Sequence, residues 1–412
     1  MAVKRRHFLG LLAGLPLAVG SALGTPARNA RARRVVVAGA GVAGIAFALT
    51  LKQLVPRAGI TLIEPAERFV FGAAALDYLF GRETWEGMTR GYGALAARGL
   101  RLLKARVQGI EPDRQRVRTS AGHVDYDILV LATGIRLATA EIAGLAEQPE
   151  AGAGLYDRER LRHLAERIAA FGGGTALIGI PPPPQSCPPA AYEFALLLAE
   201  RIRARQLKGK VLVLDASTNP QPQPLAASFE NAFQKATIEY VPSIRVVRLE
   251  AGARRVHTAD GESFGYDLAC LIPPHKAARF IEEAGLAEPG DPFVQVDPFT
   301  FRAARHEAIY ALGDCARTPY ARTASVAHDA ARICAYGVAR ALGAAAPQPE
   351  FGFEAPCYPY VNPEEAMSLR LIYRVERGKL DAGVTADPHA GRSHVAARRA
   401  WQQRLMQDLF AD

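Results

Sequence analysis

Cysteine is scarce. Five residues (Cys187, Cys270, Cys315, Cys334 and Cys357) are scattered through 412 positions, with no zinc-like spacing and no CxxCH motif. That excludes a disulfide scaffold, a cysteine-rich metal module and covalently attached haem, and it leads us to expect no metal site. At most two disulfides can form, and they persist only in an oxidising compartment. No Lys/Arg run interleaves with aromatics, which excludes a nucleic-acid surface. The net charge of +9 is instead spread out, mostly as arginine, as on a solvated surface able to steer an acidic partner or an anion. Past the N-terminal segment no apolar run is long enough to span a bilayer. Repeats and low-complexity tracts are missing apart from short proline runs. What remains, 49% hydrophobic and 22% charged residues, is an ordinary globular composition with room for two or three domains.

The first thirty residues contain Lys4, Arg5, Arg6 and Arg28 and no acid. Arg5-Arg6 precede Phe8-Leu9, a mild Gly/Ala-rich apolar stretch and then small residues. This is the pattern of a twin-arginine export signal, with cleavage near Ala22 or Ala32. We therefore expect segment 1–32 to be a signal and the mature protein to be periplasmic.

"RRVVVAGAGVAGIAFALTLKQL" is an apolar strand running into Gly39-x-Gly41-x-x-Gly44 and a helix. Such glycines permit a tight turn and bring backbone N–H groups against a pyrophosphate at the helix N-terminus. A second strand, "GITLIEP", ends in Glu64, twenty residues after Gly44, where an acid holds a ribose hydroxyl. "VDYDILVLATG" closes on Thr133-Gly134, and "EAIYALGDCA" closes on Gly313-Asp314. In this order the motifs resemble those of two-dinucleotide-domain flavoprotein reductases. The resemblance implies FAD, with Asp314 on its ribityl chain; by itself Asp314 could equally cap the following helix.

The flavin motifs bracket the chain, so we expect a discontinuous FAD domain at 33–147 and 276–345. A second α/β unit fills 148–275, and a small C-terminal α+β domain fills 346–412. The expected fold is α/β with two Rossmann-like domains. In the second unit the strand "TALIGI" is followed by "PPPPQSCPPAAYE", where a nicotinamide site would need N–H groups aimed at phosphates. Prolines have none to offer, and Asp215, at the end of "VLVLD", lacks a cradle to complement. NAD(P)H in the usual mode is disfavoured. Cys187 instead stands on a stiff loop at the C-terminal edge of a parallel sheet, where such folds place their chemistry. Alone it reads equally as a structural residue. Cys357 in "APCYPYVN" is a candidate partner, Cys315 adjoins the flavin motif, and Cys270 and Cys334 read as core residues.

Taken together, the Gly39/Glu64 start, the P-P-x-x-x-C-P-P-x-x-Y-E loop, the late Gly-Asp motif, "CYPYVNPEEAMSLRLIYRVERGKL" and a terminal "AW…DLF" helix resemble the flavin-binding subunit of flavocytochrome c sulfide dehydrogenase. The resemblance implies a Cys187–Cys357 redox disulfide over the flavin, a proton-handling Glu193, sulfide as substrate and electron transfer to a cytochrome c. One departure stands out: no cysteine lies between Gly44 and Cys187, where the family links its flavin covalently, so FAD is expected to be non-covalent. A sulfide:quinone oxidoreductase-like enzyme is the alternative, held to a membrane by an apolar face of Trp401, Leu405, Leu409 and Phe410 on the last helix. A non-catalytic FAD-binding electron carrier or assembly partner is a third reading. For Glu193, an exposed acid in the first turns of a helix is the competing expectation.

Overall fold

The structure is a computed structural model that describes residues 33–148, 154–348, 351–376 and 379–410. The export segment 1–32 lies outside the described residues.

Val35, Val36 and Val37 are almost fully buried, as a strand covered on both faces of a parallel sheet requires. The strand Arg34–Ala38 lies at the centre of a five-stranded parallel sheet. Gly59–Ile63 and then Arg101–Leu103 flank it on one side, Ile128–Leu131 and then Ile309–Ala311 on the other. The strands that end in Thr133-Gly134 and Gly313-Asp314 are therefore neighbours, and their C-terminal ends meet the turn at Gly39. Three motifs far apart in sequence converge on one sheet edge.

A second parallel sheet repeats the plan, with Glu239–Val241, Gly209–Asp215, Gly174–Ile180 and Leu268–Leu271 side by side. In each half a three-stranded antiparallel meander precedes a strand of the parallel sheet: Val107–Asp125 before Ile128–Leu131, and Val246–Gly265 before Leu268–Leu271. The short antiparallel pair Arg136–Leu137 and His275–Lys276 joins the halves. A C-terminal antiparallel sheet comes next, built from Gly352–Cys357, Tyr360–Asn362, Glu365–Glu376 and Lys379–Gly391, with the helix Arg392–Phe410 after it. No helix among the described residues is long and apolar enough to cross a membrane.

The first helix of the second half starts at Leu161, because the Asp157 carboxylate accepts the N–H groups of Glu159 and Arg160 and holds a turn before it. One expectation is corrected. The apolar face of the last helix does not point outward. Leu405 and Leu409 are buried, the Phe410 ring lies 5.0 Å from that of Phe69, and the Trp401 ring lies 6.3 Å from that of Phe71. Trp401 Nε1 donates to Ser325 Oγ at 3.0 Å. Those side chains pack inward against Phe69, Phe71 and Ser325.

Candidate active site

Gly39 has φ +104°, and a Cβ there would run into the Ala132 carbonyl; one on Gly44 would run into the Gly39 carbonyl. Only glycine closes this turn. It delivers the chain to the helix Val42–Leu54, whose N-terminus at Gly41 carries no side-chain cap and no acid in its first turn. The open amides there suit an anion. Glu64 is buried and its two oxygens accept the N–H groups of Ala40 and Ala66, each at 3.0 Å; a carboxylate oxygen can accept a second bond. Thr133 Oγ1 is buried without a partner. A tight glycine cradle, an uncapped helix start, a buried acid and an orphaned hydroxyl on one edge fit a dinucleotide. Residues Gly39, Gly41, Gly44, Glu64, Thr133, Gly134, Gly313 and Asp314 all lie on this edge.

Arg158, just inside the Asp157 turn, was not foreseen. Its Nη2 lies 3.8 Å from where a Gly41 Cβ would be, so the second half sends a cation to the anion cradle of the first. Asp314 does not cap the later helix, since Thr323 caps Ala324–Ala341. Its Oδ2 accepts Ser186 Oγ–H at 2.6 Å instead. Burial pushes the Asp314 carboxyl up, while the Ser186 bond and the Arg322 and Arg158 charges oppose the rise.

At Ser186 the role of the proline loop begins to show. The Ser186 N–H donates to His275 Nδ1 at 3.0 Å, and the N–H of Cys187 donates to the Arg322 carbonyl at 2.8 Å. Pro181 to Pro184, Pro188 and Pro189 have no N–H, so these amides are already committed within the protein. Asp215, the acid that would hold a nicotinamide ribose, is fully buried. Its Oδ2 accepts the hydroxyls of Tyr192 at 2.7 Å and Tyr240 at 2.9 Å. At the second sheet edge these amides and the acid are engaged by the protein's own groups.

Cys187 sits at φ +44°, a left-handed conformation uncommon for a side-chain-bearing residue. Its carbonyl accepts from Ala190 N and Tyr156 Oη, both at 3.1 Å, so hydrogen bonds hold the strained position. Cys357 ends the strand Gly352–Cys357 and comes into the same site. Both are free thiols and partly buried. Burial first and the Glu193 charge second push the Cys187 thiol up to about 12. The Cys357 thiol is also raised by burial, with Cys187 its next strongest influence. Cys270, Cys315 and Cys334 are buried elsewhere in the core; Cys315 donates to the Leu131 and Leu312 carbonyls at the flavin-side strand ends.

Glu193 is not an exposed helix-start acid: it is 1% exposed. Its Oε2 accepts from Arg398 Nη1 at 2.7 Å and from Tyr360 N at 3.1 Å. The Tyr360 hydroxyl donates to Asp77 at 2.8 Å, Gln402 Nε2 donates to Asp77 at 2.9 Å, and Arg82 lies 3.3 Å from the same carboxylate. Asp77, Arg82, Tyr360, Arg398 and Gln402 escaped the sequence reading. One signal was present. Arg398 falls on the stripe Val395, Trp401, Leu405, Leu409, where a helix meeting only solvent would carry no charge among apolar neighbours.

Residues 33–331 match the sequence model of the pyridine nucleotide-disulphide oxidoreductases. The chain belongs to that family. Members hold FAD. The chain is 26% identical over 298 residues to a sulfide-quinone reductase of Aquifex aeolicus, covering 68% of each protein. It is 23% identical over 304 residues to the mouse mitochondrial sulfide:quinone oxidoreductase, covering 71% of this chain and 67% of the relative. The solved structure of the Aquifex aeolicus sulfide:quinone oxidoreductase superposes with a TM-score of 0.76 at 21% identity, over 92% of this chain and 91% of the other. A NAD-dependent persulfide reductase from A. fulgidus superposes with a TM-score of 0.62 at 20% identity, over 91% of this chain and 76% of the other. The family match ends before Cys357 and Arg398, so those residues belong to the more particular part of the chain.

Proposed function

We propose that the protein is an FAD-dependent oxidoreductase that oxidises sulfide or a related sulfur nucleophile through a disulfide between Cys187 and Cys357. The observation that carries this reading is that two thiols from distant segments, Cys187 on a loop bonded to Asp314 through Ser186 and Cys357 at a strand end, come within electrostatic reach of each other beside buried Glu193. The names of the relatives support the substrate class.

The protein's own groups account for the sulfur chemistry. HS⁻ attacks one sulfur of the disulfide; a new S–S bond forms, the Cys–Cys bond breaks, and the products are a cysteine persulfide and a freed cysteine sulfur. With a thiol raised so far by burial, a bare thiolate is a poor leaving group. Glu193, buried beside the pair with its carboxyl raised by burial against the Arg398 charge, is the group placed to exchange a proton with the departing sulfur. Gly39, Gly41, Gly44, Glu64, Thr133 and Asp314 on the first sheet edge would hold FAD non-covalently, and when bound it would supply the two-electron acceptor for the reduced pair. Anaerobic sulfide should bleach the flavin band of the loaded protein. Failure to bleach, or bleaching that survives both Cys187→Ala and Cys357→Ala, defeats the proposal.

A quinone is the final acceptor that the relatives' names support, and it is the first to test. A cytochrome c, the acceptor implied by the resemblance to flavocytochrome c, is the second reading. On its side is the inward packing of Leu405 and Leu409, with Trp401 and Phe410 half-buried against Phe71 and Phe69. Parallel turnover with a soluble quinone and with oxidised cytochrome c decides between them. We propose that the protein works in the periplasm after twin-arginine export; replacing Arg5 and Arg6 by Lys together should retain it in the cytoplasm.

A further inference from the structure

The cysteines reach the site on two segments, the loop before the helix Ala190–Ala204 and the end of the strand Gly352–Cys357. Two bonds tie the stretches of chain just C-terminal to them: Tyr360 N–H donates directly to Glu193 Oε2 at 3.1 Å, and one arginine nitrogen bridges both. Arg398 Nη1 donates to Glu193 Oε2 at 2.7 Å and to the Tyr358 carbonyl at 2.9 Å. Glu193 lies six residues after Cys187, and Tyr358 is the residue next to Cys357. Arg398 Nε faces Asp77 Oδ2 of the first domain at 3.5 Å, and the guanidinium lies 4.4 Å from the Tyr360 ring centroid. The side chains of Arg398 and Glu193 are 8% and 2% exposed.

We propose that Arg398 is a positioning residue for the cysteine pair, tying the helix behind Cys187 to the turn behind Cys357 and so setting how readily the two sulfurs join and part. The inference rests on the reading of Cys187 and Cys357 as a redox pair. An arginine suits the place because its planar fork can serve several acceptors in fixed directions, whereas lysine is a point charge on a flexible stem. The charge is secure: burial works against it, and Glu193 and Asp77 outweigh that penalty. The ionisable groups facing the cysteines are Glu193, Arg398, Asp314 and Tyr156. Those facing Arg398 are Glu193, Asp77, Tyr360 and Cys357. Arg82 supplies a second cation to Asp77 and lies over the other side of the network, 3.9 Å from the Tyr360 ring centroid, without bonding Glu193 or Tyr358.

The test is a redox titration of the full-length, FAD-loaded protein in anaerobic glutathione buffers. Alkylation and mass spectrometry read the Cys187–Cys357 disulfide. Two thiols and one oxidised glutathione give the disulfide and two reduced glutathiones, so the thiol protons end on glutathione and the equilibrium is a potential. Arg398→Met should weaken the disulfide about tenfold, which is about 30 mV. Arg398→Lys should weaken it by roughly threefold, about half that shift, and it decides the matter if the Met variant does not fold. Arg82→Met should leave the midpoint in place. Wild-type midpoints in both Arg398 variants, or an equal shift in Arg82→Met, overturn the proposal. A wild-type protein that forms no Cys187–Cys357 disulfide defeats the redox-pair reading itself, and the inference with it.

Discussion

At the residue scale, Cys187 holds a left-handed backbone at a cost on the order of 1 kcal/mol. The loop can bear it because the Cys187 amide and carbonyl are both engaged. Its neighbour in space, His275, has a clear pH signature. The ring is 3% exposed, Nδ1 accepts Ser186 N–H, and Nε2 is buried without a partner. Burial, aided by the Arg322 charge, pushes its pKa down from 6.5 to about 4. Below the unfolded value the unfolded chain binds a proton that the folded chain refuses, so stability is full above about pH 6.5 and is lost as pH falls toward 4. The loss is about 3 kcal/mol at most. Glu193, Asp215 and Asp314 are raised by burial and tilt the profile the opposite way, so the measurement must be a difference. Urea midpoints at pH 7 and pH 5 should drop less in His275→Gln than in wild type; parallel profiles would refute this.

At the scale of elements, the helix Arg392–Phe410 illustrates how one pattern admits two partners. Its stripe is apolar, and apolar stripes suit either a lipid surface or a protein groove. The phenylalanines at 69 and 71 decide it, and nothing near the helix in sequence announces them. Leu409 is fully buried against this surface, so Leu409→Ala should cost about 2–5 kcal/mol. Thermal melting should show the loss, and a change within error would mean that the helix is not docked in solution. Arg398 shares the stripe for a related reason: its acceptors come from Glu193 and Tyr358, out of reach of local reading. The proline loop is the contrary case. Its lack of N–H groups is a covalent property, so the loss of a phosphate cradle was legible before any fold was known. The tyrosines that occupy Asp215 were not, because Tyr192 and Tyr240 reach it from different elements.

At the scale of the whole molecule, two similar halves have divergent sheet edges. One keeps glycines and free helix amides; the other spends its amides on His275 and Arg322 and its acid on two tyrosines. NADH and NADPH should therefore leave the flavin oxidised in anaerobic spectra while sulfide reduces it. Rapid bleaching by either nucleotide would show that the second edge still opens. Arg158 crosses from the second half to the cradle of the first, so the halves share the cofactor's surroundings and do not merely lie side by side.

The sequence by itself determined the α/β class, the glycine turn, the helix start behind it and the proline loop's lack of N–H groups. Each comes from what a single residue type can or cannot do with its own backbone. Only the tertiary structure decided which groups meet: Cys187 with Cys357, Ser186 with Asp314, Arg398 with Glu193, and the last helix with the first domain. Those encounters depend on how distant segments pack, and burial then changes the chemistry of every acid and thiol it encloses.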